Sequence, residues 1–138
     1  MNRYTFDQLS VGMSHEFTVT VTREHQEQFR HITGDINPLH SDSDFAREKG
    51  FEDQVVYGML EASFYSTMAG VFLPGENSLI HRVEVLFKKP VYIGDTLTVR
   101  GRISEKNETF QFIKVKCEII RNGTEKCSRG VMQIGVLS

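Results

Sequence analysis

From Leu79 to the C-terminus, apolar and polar residues alternate with a period of two, the spacing of a half-buried strand. Val83, Val85 and Phe87 are separated by Arg82, Glu84 and Lys88. Leu97, Val99 and Ile103 fall on one face of the next run. Ile113, Val115, Cys117 and Ile119 alternate with Lys114, Lys116 and Glu118, and Val131 to Leu137 closes the chain. Pro90 ends the first of these runs, because proline has no N–H to give a sheet ladder. One more alternating run, His15 to Thr22, puts Phe17, Val19 and Val21 on one face. The pattern predicts one early strand and four late ones.

Between them the period changes. Thr22 can cap a helix from Arg23 to about Thr33, with Phe29 and Ile32 its apolar positions. Ser41 or Asp42 starts a short helix over 43–49, and Gly50 is placed for its C-terminal cap. Tyr57 to about Val71 is the longest helical stretch. It is apolar nearly all round, with Glu61 its only charge, so it is expected to be central and buried. Its small residues Ala62, Ser63, Ser66, Ala69 and Gly70 would let a sheet pack closely. Residues 1–14 read as a lead-in packed on the surface. The whole is an α+β chain, an antiparallel sheet with a buried helix, in one domain over 1–138.

Composition narrows the function. A formal net charge of −2 and a pI near 6.2 give no basic field for nucleic acid. No run of 18 apolar residues exists to span a membrane, and the N-terminus lacks the apolar core of a signal peptide. A soluble cytoplasmic protein is expected. The five histidines are scattered and neither C-x-x-C nor H-x-x-x-H occurs, so no metal is expected. Cys117 and Cys127 flank a turn at Asn122-Gly123. A two-residue turn would pair Cys117 with Ser128 and Cys127 with Glu118. The cysteines would then point to opposite faces, which argues against a disulfide.

The chemistry concentrates in Thr33-Gly34-Asp35-Ile36-Asn37-Pro38-Leu39-His40. The residue before a proline is pushed out of the helical region, so Asn37 is expected to be extended and the preceding helix to end by Gly34. In a bent loop Asp35 and His40 can converge as an acid–base pair. Read for spacing alone, the same residues are also ordinary turn formers with a packing histidine.

The surrounding motifs favour chemistry. G-D-x-N-P-L-H (34–40), D-x-x-F-A (42–46), G-F (50–51) and V-V-x-G-M-L-x-A-S (55–63) follow one another in order, with F-L-P-G (72–75) and F-K-K-P-V-Y-I-G-D-T (87–96) later. Together these resemble the MaoC-like dehydratases and (R)-specific enoyl-CoA hydratases over nearly the whole chain. The resemblance implies a hot-dog fold, a curved sheet of about five strands around one long helix, with an extra loop-helix segment carrying the hydratase motif. It implies (R)-specific hydration of trans-2-enoyl thioesters, carried on CoA or acyl-carrier protein, without a cofactor, and a homodimer.

The site residues it implies are Asp35 as proton acceptor or water anchor, His40 as its partner, and Gly58, at the start of the long helix, as an oxyanion donor through its N–H. Asn37 is expected to hold the loop, and Ser66 to support the pair beside the substrate. Tyr57 departs from the pattern, since many relatives carry histidine there. Lys88, Lys89 and Arg100 are candidates for the carrier's phosphates, against the simpler reading of a solvated sheet face. Two other functions stay open: a hot-dog thioesterase and a non-catalytic acyl-thioester-binding subunit.

Overall fold

The computed structural model describes residues 1–138. The alternating runs become strands β1 (Ser14–Thr20), β2 (Ser78–Phe87), β3 (Thr96–Asn107), β4 (Phe112–Arg121) and β5 (Glu125–Val136). The helical stretches become α1 (Arg23–Thr33), α2 (Ser43–Glu48) and α3 (Gly58–Thr67), with α3 prolonged by a wider turn over Met68–Phe72. All neighbouring strands are antiparallel, in the order β1-β3-β4-β5-β2. Leu97, Val99, Ile103, Ile113, Val115, Ile119, Met132 and Ile134 on the sheet meet Leu60, Tyr65, Met68 and Ala69 of the central helix in one core. This is the hot-dog arrangement. No helix is long and apolar enough to cross a membrane.

Of the small helix residues, Ala69 is fully buried against the sheet, but the close approach also rests on glycines of the sheet. Gly101 and Gly130 flank Cys117 on neighbouring strands. A Cβ on Gly101 would stand 2.7 Å from the Met68 side chain, and one on Gly130 would stand 3.4 Å from the Tyr65 ring. The sheet gives up side chains so that large helical residues fit. On α3, Ser63 and Ser66 are exposed and Met59 is 68% exposed, so the helix is buried on one side rather than all round.

Three other expectations change. In α1 Phe29 packs against the core, but Ile32 is 81% exposed and the buried residue is Gln26. Six residues turn a helix by about 120° relative to Gln26, which carries Ile32 off the contact stripe. In β2, Val83 and Phe87 are half exposed, because β2 is an edge strand. The β4–β5 hairpin pairs Arg121 with Glu125 across a three-residue turn, with Asn122 and Gly123 at positive φ. A bulge then makes Cys127 an extra residue, so Cys117 faces Gly130 and Ser128 faces Ile119. Both cysteines are free and both are buried in the same core, rather than on opposite faces.

Candidate active site

Short-range capping builds the 33–40 loop. Gly34 ends α1 in the left-handed conformation, φ 72°, and its N–H reaches the Arg30 carbonyl at 2.8 Å. Asn37, extended before Pro38, accepts the Leu39 N–H on its Oδ1 at 3.0 Å and so caps a single 3-10 turn, Pro38–His40. Asp35 accepts the Asn37 N–H at 3.0 Å in an Asx turn and otherwise faces solvent. Asn37 is thus a structural residue of the loop.

The His40 ring is fixed at one nitrogen and open at the other. Its Nδ1 lies 2.7 Å from the Val55 carbonyl. A carbonyl only accepts, so Nδ1 carries the proton, and in the neutral ring Nε2 presents a lone pair with no protein partner. Tyr57 holds the rest. Its ring stacks on His40 with centroids 4.0 Å apart and an interplanar angle of 28°, and its hydroxyl donates to the Asp35 backbone carbonyl. Burial, then the Asp35 charge, raises the Tyr57 phenol above its ordinary value, so it remains a donor at neutral pH. The residue that departs from the expected histidine thus touches both the His40 ring and the Asp35 backbone.

Tyr57 is also the N-cap of α3, and it caps without its side chain. The first helical hydrogen bond runs from the Glu61 N–H to the Tyr57 carbonyl at 3.1 Å, leaving the N–H groups of Gly58, Met59 and Leu60 without acceptors in the protein. The helix dipole adds partial positive charge there. Through Tyr57, then, the Asp35 backbone carbonyl and the His40 ring are tied to the start of α3.

Gln26 was not legible as a site residue. It is 4% exposed, and its amide nitrogen donates to the His40 and Val55 carbonyls, both at 3.0 Å. Its Oε1 accepts the Tyr57 N–H at 3.3 Å. One side chain thus locks the 33–40 loop to the start of the helix. The only sequence signal is its place three residues before Phe29 on the same helical face. Gln26→Leu leaves the His40 carbonyl and the Tyr57 N–H without a partner, while the Val55 carbonyl keeps His40 Nδ1, so it should lower stability by about 2–4 kcal/mol, read as a fall in the urea midpoint at unchanged slope.

The other expected residues lie elsewhere. Ser66 is exposed on α3, and its side chain makes no hydrogen bond to Asp35 or His40. Lys89 is paired with Glu125 at 2.9 Å, and Arg100 with Glu16 at 2.8 Å and Glu118 at 3.7 Å, which fits a solvated sheet face. Lys88 is exposed and unpaired.

A sheet wrapped on one helix, with an Asp/His loop tied to the helix start, defines a hot-dog protein of the hydratase type in architecture. The model of the MaoC like domain matches residues 8–123, and the chain belongs to that family. It is 31% identical over 118 residues to the (R)-specific enoyl-CoA hydratase of Rhodospirillum rubrum, covering 83% of this chain and 81% of that protein. It superposes on the (R)-hydratase of Aeromonas caviae involved in PHA biosynthesis with a TM-score of 0.88 at 29% identity, covering 93% of this chain and 97% of that one. The unliganded R-hydratase PhaJ1 of Pseudomonas aeruginosa shares the fold with a TM-score of 0.90 at 24% identity, over 97% of this chain and 86% of its own.

Proposed function

We propose that the protein catalyses the reversible addition of water to a trans-2-enoyl thioester, giving the (R)-3-hydroxyacyl thioester. The observation that carries this is the His40 imidazole, open at Nε2 and stacked on Tyr57 at the free amides that begin α3, with the Asp35 backbone held to the same tyrosine. The names of the relatives support the reaction class. In hydration, water loses a proton as its oxygen bonds to C3, a proton reaches C2, and the thioester oxygen carries negative charge in between. Asp35 and His40 Nε2 hold the water and exchange the protons. The Gly58 N–H takes the oxyanion, because glycine leaves the carbonyl a clear approach. Tyr57 sets the distance between loop and helix start. The step as written uses only proton transfers and hydrogen bonds, with CoA or acyl-carrier protein as the substrate's handle.

The test is a series of trans-2-enoyl-CoA thioesters of increasing chain length, followed by loss of the conjugated absorbance. Loss of absorbance without thiol release is expected for short or medium chains. Binding without turnover across the series would overturn the reading.

The reading includes a homodimer. Both β1 and β2 are open sheet edges, and β2 exposes Leu79, Val83, Leu86 and Phe87. Unpaired apolar edges are normally covered. Sedimentation at micromolar concentration should give the mass of two chains; a monomer there would contradict it.

A further inference from the structure

Glu61 stands one turn into α3 with its side chain turned to the sheet. It is 3% exposed, and its Oε1 has no hydrogen-bond partner. Helical side chains lean toward the N-terminus of their helix, so this carboxyl leans toward the free amides of Gly58, Met59 and Leu60. Its surroundings are uncharged. Tyr65 lies one turn further along α3, and its hydroxyl meets the Ser128 hydroxyl of β5 at 2.8 Å. The Ser128 hydroxyl also faces the carboxyl, and Cys127 of β5 lies within range of its charge. The next charged or titratable groups out are Cys117 and Glu118 beside Tyr65, and Arg121 and Glu125 beside Cys127. No cation pairs with Glu61. A buried carboxylate without a cation is costly, so the fold favours the protonated form.

We propose that Glu61 is a positioning residue that sets the charge at the start of α3. Protonated, it leaves the positive end of the helix free to hold the thioester oxyanion; ionised, it opposes that charge and lowers the rate. This rests on the hydratase reading above. Burial pushes the Glu61 carboxyl well above the usual carboxylate range, to about 7, with the Ser128 hydroxyl pulling weakly the other way. The change therefore falls in the neutral range. Two like charges within a helical turn, roughly 6 Å, oppose each other enough to slow the step about 10- to 100-fold at an effective dielectric constant near 20.

The experiment compares kcat from pH 5.5 to 8.5 for the natural protein, Glu61→Gln and Glu61→Leu; the leucine variant serves if the glutamine one folds poorly. As pH rises across the window the natural protein should lose about 10- to 100-fold relative to the neutral variants, which keep only the pH dependence of the Asp35 and His40 chemistry. A second reading needs no turnover. Because the folded state keeps a proton that the unfolded chain releases from about pH 4.5, this group removes stability as pH rises toward 7. The urea midpoint of Glu61→Gln should therefore gain on the natural protein over that interval and then hold level. Superimposed rate profiles in an active enzyme, or midpoints that do not separate with pH, would overturn the inference alone. A natural protein inactive at every pH would overturn the hydratase reading and this inference with it.

Discussion

Asp35→Asn and His40→Ala should each lower the hydration rate by at least about 10²-fold, while both variants stay folded. General acid–base groups typically contribute about 10²–10⁴-fold, and the structure lets this loss be read separately from damage to the loop. Asp35 makes one side-chain bond, to the Asn37 N–H, and asparagine keeps an oxygen for it. The base is removed and the turn survives. His40→Ala removes the bond to the Val55 carbonyl, but that carbonyl still accepts from Gln26, so no buried group is left without a partner. The alanine variant also loses the stack on Tyr57, which should cost about 1 kcal/mol of stability and no more. The double variant should lose little beyond the worse single one, because a pair that moves one proton fails as a unit. Steady-state rates together with urea midpoints check this. Near-natural rates in either variant would make the loop structural only.

Gly58→Ala should lower kcat by up to about 10²–10³-fold with little change in stability. Gly58 does not adopt positive φ, so alanine fits its backbone. The added methyl would stand 3.4 Å from the Phe87 ring, and a half-exposed ring can move by the few tenths of an ångström required. What the methyl disturbs is the approach of a carbonyl to the free amides of the first turn. Unchanged kcat, with the helix intact by circular dichroism, would leave the oxyanion donor to another amide of that turn.

Residues whose neighbours are close in sequence were the most legible. Thr22 caps α1 on the His25 N–H, Gly34 ends it in the left-handed conformation, and Asn37 is extended before Pro38, all as local sterics require. The period-two runs became the strands and put Ile113, Val115 and Ile119 inside. What failed depended on distant partners. Gln26 looked like one more polar residue of a surface helix, and only the fold brings the His40 and Val55 carbonyls to it. Gly101 and Gly130 carry no periodic signal, yet they decide how near Met68 and Tyr65 approach. Cys127 was misplaced because one extra turn residue and a bulge move the register, and neither is written in the alternation itself. Ser66 rests on the resemblance alone, since its exposed hydroxyl has no hydrogen-bond partner in one chain.

The most direct measurement of the central claim is the fate and configuration of product from a short trans-2-enoyl-CoA. The account predicts the (R)-3-hydroxyacyl-CoA with its thioester intact, and the same equilibrium mixture reached from that product in reverse. Release of free CoA thiol, an (S) product, or a bound but unchanged enoyl thioester would contradict it.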